Sequence, residues 1–248
     1  MSHFSFLADL EAEVLSHPVW NHPLVERFET QQVDLKHARL FALAYYPHIL
    51  RTRLYQAAAL SICPEEQLQM AFALILQDEY AEGNERETHM SIYRRFMTGL
   101  GLTPREWGDA PFLPELELYI DRHYRLTQQD HFLAAAGAAG VAMEWPIPAL
   151  YQKFVKGFSA LPGIQPKNLE FFIGHAEVDI EHSSIIRHAL LPHCTLEESR
   201  QHLRRGARLS LDARSVFFDG LERFVFQDEI PSRADEIEIG SLVGAESR

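Results

Sequence analysis

The chain has 248 residues, 46% of them hydrophobic, and carries 23 Lys and Arg against 35 Asp and Glu, a formal net charge of −12. That length and apolar content support one domain with a sizeable core. The negative balance repels phosphate backbones and anionic membrane surfaces and so argues against nucleic acid or membrane partners. Two cysteines, Cys63 and Cys194, show no C-x-x-C spacing and are outnumbered by 13 histidines. This balance predicts a reducing, cytoplasmic setting and nitrogen–oxygen metal chemistry rather than disulfides or structural zinc.

The N-terminus, MSHFSFLADLEAEV, has early acids and no basic-then-apolar pattern, so it does not read as a signal peptide. Apolar residues then recur at helical spacing, as in Phe41, Ala44, Tyr45, His48 and Ile49, and no sustained alternation marks a strand. Helices are predicted over 4–16, 22–30, 35–61, 64–99, 113–126, 129–144, 148–159, 167–191 and 196–227, an all-α bundle. Thr103-Pro-Arg-Glu106 and Thr195-Leu-Glu-Glu198 both have the form of capping boxes. The apolar run Leu133–Met143 falls short of the roughly 20 residues that a membrane-spanning helix needs. The turns at 161–166 and near Pro192 are too short to be interdomain linkers. A single domain is therefore expected over 1–228, followed by an acidic tail at 229–248 that is disordered or loosely docked.

Three segments carry chemistry. In FFIGHAEVDIEHSSIIRHAL, His175, Asp179 and His182 stand at i, i+4 and i+7, which places two imidazoles and a carboxylate on one helical face. In QDEYAEGNERETHMSIYRRF, Glu82 and His89 are seven residues apart, two turns along one stripe. Asp78 and Glu85 share that stripe, so the carboxylate assignment stays open, and Gly83-Asn84 is a helix-weakening pair inside it. Glu144 follows a run of small and apolar residues and precedes two prolines, a position where a charge is buried and needs a partner. Together Glu82, His89, Glu144, His175, Asp179 and His182 make a six-residue ligand set for two metals. Mixed carboxylate and imidazole suit iron or manganese. Three carboxylates against two divalent ions leave about one positive charge, which an anionic substrate would neutralise. Glu79, Glu85 and Glu181 are further ligand or supporting candidates, and Tyr45, His48, Trp145 and Tyr151 are candidate pocket residues. The Glu-x-x-His pairs of ferritin-like bundles are missing, so the bundle is a different one.

At these residues the sequence resembles the haem-oxygenase-like di-iron oxidases, and among them the group of the chlamydial death-domain-associated protein, within a superfamily that also holds TenA- and PqqC-like proteins. The resemblance rests on D-E-x-x-E-G-N with His89, Glu144-x-x-x-Pro148 with Gly157, FF-x-x-H-x-x-x-D-x-x-H from Phe171 to His182, and YY-x-HI at Tyr45 to Ile49. It implies a single haem-oxygenase-like domain of seven to nine helices, often dimeric. It also implies two irons on the six residues, with O₂ as co-substrate, an external electron donor, and a small amino acid, amine or fatty acid as substrate. Some members of the chlamydial group convert their own tyrosine and lysine to p-aminobenzoate. The corresponding positions here hold Val25, Phe41 and Phe154, with Lys153 and Lys156 only nearby. Two other readings make distinct expectations. A metal-free helical binding or interaction protein would pair Glu82 and Glu144 with arginines such as Arg94, Arg95 or Arg187. A thiaminase-like hydrolase would bring Cys63 or Cys194 into the central pocket.

Overall fold

The computed structural model describes residues 3–227, apart from the side chains of His3, Phe4 and Glu177; the expected tail at 229–248 lies outside the described residues. The described residues form helices joined by short turns and loops, with no strand among them. The elements are α1 (His3–Leu15), α2 (Pro23–Glu29), α3 (Leu35–Ile49), α4 (Thr52–Ile62), α5 (Glu66–Glu79), α6 (His89–Gly99), α7 (Pro104–Gly108), α8 (Pro114–Gln128), α9 (Phe132–Ala136), α10 (Ala142–Glu144), α11 (Ile147–Ser159), α12 (Glu170–Leu190) and α13 (Glu197–Phe226).

Two helices expected to be continuous are broken, each for a local reason. The segment 35–61 divides between α3 and α4 at Leu50–Arg51. The Arg51 N–H turns to the His48 carbonyl at 2.9 Å instead of that of Pro47, and Arg51 Nη1 caps the Pro47 carbonyl thus freed at 2.7 Å; Pro47 itself has no N–H to offer the Leu43 carbonyl, which weakens the last turns of α3. The segment 64–99 divides between α5 and α6 because Ala81, Glu82 and Gly83 all take positive φ, at 47°, 53° and 91°. Left-handed backbone cannot continue an α-helix and costs a non-glycine residue roughly 1–2 kcal/mol. The Thr103 capping box forms with Glu106. The Thr195 box does not, because Thr195 closes a 3-10 turn over Leu191–Cys194 and α13 starts after Leu196 without a side-chain cap.

The core is aromatic-rich. Phe28, Phe41, Phe154 and Phe158 meet with ring centroids 4.8–5.8 Å apart, and Phe96 and Phe172 extend the cluster toward α12. Val25, Phe41 and Phe154, which stand where the resemblance would have reactive side chains, are all fully buried in this apolar mass.

α13 is the longest helix and packs along α8, α9 and the π-helical turn Gly137–Val141 that joins α9 to α10. A π turn admits one extra residue, so the residues after it, Glu144 included, are rotated by about 100° from their α-helical phase. The stretch Phe132–Ser159 has the length and hydropathy of a membrane span, but 89% of its apolar window is buried inside the bundle. Its apolar surface is thus used as core. The crossing with α13 is close: a Cβ on Gly206 would lie 1.9 Å from the Ala134 carbonyl oxygen, and one on Gly137 would lie 2.2 Å from that of Leu203.

This crossing yields a prediction. Alanine at a helical glycine ordinarily gains up to about 1 kcal/mol, but here the clash is with backbone and outweighs that gain. Gly206→Ala should lower stability by about 3 kcal/mol, read as a reduced urea midpoint at unchanged slope. A midpoint equal to or above that of the parent would contradict the close crossing.

Candidate metal centre

α12 packs against α5, α6 and α10, and each of these presents ligand-type side chains where they meet. α5 ends on Asp78 and Glu79, α6 begins on His89, α10 ends on Glu144, and α12 supplies His175, Asp179 and His182. Two groups result, Glu79–His89–His175 and Glu144–Asp179–His182, and in each the potential ligand atoms lie within 4.8 Å of one another. In the first, His89 Nδ1 is 3.2 Å from Glu79 Oε1, and the rings of His89 and His175 are 4.2 Å apart. In the second, His182 Nδ1 is 3.2 Å from Glu144 Oε2 and 3.4 Å from Asp179 Oδ1. Asp78 lies between the groups, with Oδ2 3.5 Å from both His89 Nε2 and His182 Nε2.

Five of the six residues singled out in the sequence, His89, Glu144, His175, Asp179 and His182, come together here. Glu82 does not join them. The break after α5 removes the shared stripe on which its pairing with His89 rested, and Glu79 stands in the first group instead. Glu82 is exposed on an outer groove that Asp78, Glu181 and His182 also line. Glu85 and Glu181 are exposed as well.

The donor set fits metal ions better than it satisfies itself. Asp78 Oδ2 and His89 Nδ1 are buried without a properly directed hydrogen bond, and such orphaned polar atoms are costly unless something ligates them. The His175 Nδ1–H donates to the Phe171 carbonyl at 2.7 Å, which fixes the tautomer and leaves the Nε2 lone pair free for a metal. Gln56 Nε2 donates to Glu144 Oε1 at 2.6 Å and holds that carboxylate in place.

The electrostatics point the same way. Burial opposes the charged form of His89, yet Glu79 and Asp78 outweigh it and raise the imidazole to about 10. His182 behaves alike, burial being overcome by Asp179 and Glu144, again to about 10. His175, desolvated and beside His89, is pushed down to about 3 and is neutral. Burial and the Glu144 charge raise Asp179 to about 8. Burial works against the Glu79 carboxylate too, but His89 keeps it below its ordinary value, and the nearby His89 imidazole does the same for Asp78. Each group therefore demands positive charge, and without a metal one histidine per group takes a proton to supply it.

A narrow cavity of about 30 Å³ adjoins the centre. Glu79, His89, Glu144, His175 and Asp179 line it together with His48, Gln56, Tyr151 and Arg214. Tyr45 packs behind, stacked between Phe41 and Phe217, and Trp145 lies under Arg187 at 4.5 Å. Gln56 and Arg214 join the cavity without any motif in the sequence that marks them. The only signal for Arg214 is its position on the apolar stripe formed by Leu211, Phe218 and Leu221.

The alternatives fare differently. Glu144 is partnered by Gln56 and His182, while Arg94 bonds to Tyr46, Arg95 to Glu87 and Glu170, and Arg187 to Glu11. Cys63 and Cys194 are bonded to the backbone at Glu65 and Leu190 and are not among the residues lining the cavity.

Comparison with known proteins agrees with this chemistry. The chain is 23% identical over 180 residues to a 4-aminobenzoate synthase of Chlamydia pneumoniae, covering 73% of this chain and 79% of that one. Among solved structures it resembles a CADD-like protein of unknown function from Nostoc punctiforme, with a TM-score of 0.75, 15% identity and coverage of 92% and 97% of the two chains. A TenA homologue from Pseudomonas syringae superposes with a TM-score of 0.66 at 15% identity over 89% and 91%. A protein from Shewanella denitrificans described as having a heme oxygenase-like fold does so with 0.65 at 16% over 90% and 93%. The fold is thus the haem-oxygenase-like bundle. Residues 39–215, which contain every ligand-type side chain of the centre, match the model of a family described as iron-containing redox enzymes, and the chain belongs to that family.

Proposed function

We propose that the chain is a non-haem di-iron oxidase or oxygenase that uses O₂ to oxidise a small organic substrate of the amino acid, amine or fatty acid class. The observation that carries this reading is the meeting of two carboxylate–histidine groups, with Asp78 between them, beside one narrow cavity. One metal would be held by Glu79, His89 and His175 and the other by Glu144, Asp179 and His182. With three protein ligands each, such ions would keep room for a further small ligand. Iron bound there supplies the electrons that O₂ must receive, with an external donor resetting the cycle. Manganese suits the same ligands.

The side chains around it have separable tasks. Phe171 and Gln56 orient His175 and Glu144 through the hydrogen bonds described above. Burial holds the Tyr151 hydroxyl well above its ordinary value, so it stays protonated and can donate a hydrogen bond within the cavity. Burial likewise keeps His48 neutral. The apolar walls supplied by Ile49, Met143, Ile147 and Phe171 limit access of bulk water.

The kinship with 4-aminobenzoate synthases favours a second reading, in which the chain itself is the source of a 4-aminobenzoate product. Against it, Val25, Phe41 and Phe154 offer no oxygen or nitrogen to lose, which supports an external substrate.

Three measurements test these readings. Anaerobic loading should give two Fe(II) per chain by elemental analysis, with an optical change on exposure to O₂. The His175→Ala/His182→Ala protein should lose both. Full stoichiometry in that variant would sink the assignment. Next, Glu79→Gln should reduce the content to one metal, whereas Glu82→Gln should retain two; the reverse pattern would transfer the ligand role to Glu82. Finally, intact-mass spectrometry after turnover should find the polypeptide unchanged in mass. A loss matching a side-chain fragment would favour the self-derived product.

A further inference from the structure

Arg214 is a buried cation that the metal centre does not explain. It is 2% exposed, stands on α13, and enters no ion pair among the described residues. Its neighbours on the same helix do pair, Arg204 with Glu13 at 2.9 Å and Arg205 with Asp130 at 2.7 Å. Arg214 instead lines the cavity, and its Nη1 is buried without a hydrogen-bond partner. A desolvated guanidinium lacking a counter-ion costs several kcal/mol, so its retention calls for an occupant.

The surroundings define that occupant. The guanidinium carbon lies 5.5 Å from the Trp20 ring, which supports one face and leaves the edge to donate. Tyr119, Tyr45 and Tyr151 are the groups that act on it most strongly, and they are neutral phenols held protonated by burial. They do not cancel its charge. His48, on α3, lines the same cavity and has an unpartnered Nδ1 of its own. Tyr151 and the metal-binding residue Asp179 line the same cavity as the guanidinium. One planar cation with fork-like donors matches a carboxylate. An inorganic phosphate dianion would require more positive charge than a single arginine beside several acids provides.

We propose that Arg214 anchors a carboxylate of the substrate, so that the molecule oxidised is a small carboxylic acid gripped at one end by Arg214 and presented at the other to the metal centre. The second half of this statement rests on the oxidase reading; the anion site itself does not. The free volume of about 30 Å³ is small, so short acids such as formate and acetate are the probes that need the least widening of the cavity.

The test pairs formate, acetate, propionate and benzoate with their neutral amides in calorimetric titrations of the full chain. These are run on Fe(II)-loaded protein and on the His175→Ala/His182→Ala variant. At least one acid should bind tenfold or more tightly than its amide in both. Arg214→Gln should abolish that preference, and Arg214→Lys should restore part of it. Loss of iron binding with an intact, Arg214-dependent preference would sink the oxidase reading and leave the anion site standing. A preference that survives Arg214→Gln but vanishes in the double-histidine variant would mean that the metal holds the carboxylate, and would overturn the proposal. Should Arg214→Gln fail to fold, the acid-to-amide contrast in the double-histidine variant decides alone. No preference in any pair, or tighter binding of inorganic phosphate than of any acid, would overturn it as well.

Discussion

Burial of negative charge is the constraint around which the bundle is organised. Glu79, Glu144 and Asp179 are buried, and Asp78 adds a buried oxygen between them. Desolvating several carboxylates in one place costs more than the marginal stability of a domain can absorb unless positive charge accompanies them. His89 and His182, drawn up to about 10 by these acids, can provide it as protons. Divalent metals provide more charge and also satisfy the orphaned atoms. A centre that demands cations so strongly is a structural element as much as a chemical one.

The rest of the fold serves that arrangement through departures from regular helix. The π turn at Gly137–Val141 resets the phase of the helix before Glu144, and Gly137 and Gly206 allow α13 to lie close behind it. The left-handed residues Ala81 and Glu82 end α5 at Glu79 and let the chain return so that His89 opens α6 facing the same acids. Local strain of this kind is typical of positions that a continuous helix could not supply.

What could be read from the residues follows from which features are local. His175, Asp179 and His182 lie on one uninterrupted helix, so their spacing alone puts them on one face. The Glu82–His89 spacing looks equally good but assumes a helix that the structure breaks at Tyr80–Thr88. Gly83-Asn84 marks the weakness, yet nothing local shows that three successive residues turn left-handed. The Thr195 box fails for a similar reason, since the 3-10 turn through Pro192 takes up the residues that would have capped α13. Gln56 and Arg214 are single polar residues on otherwise apolar stripes. Their meaning depends on what faces them from helices far away in sequence, which periodicity does not report.

Two metals are expected to sit side by side between α5, α6, α10 and α12. Anomalous diffraction at the iron edge from crystals loaded anaerobically with Fe(II) addresses this directly. Two peaks per chain are expected, one among Glu79, His89 and His175 and the other among Glu144, Asp179 and His182, with Asp78 between them. A single peak, or iron bound elsewhere with these residues paired only among themselves, would contradict this arrangement.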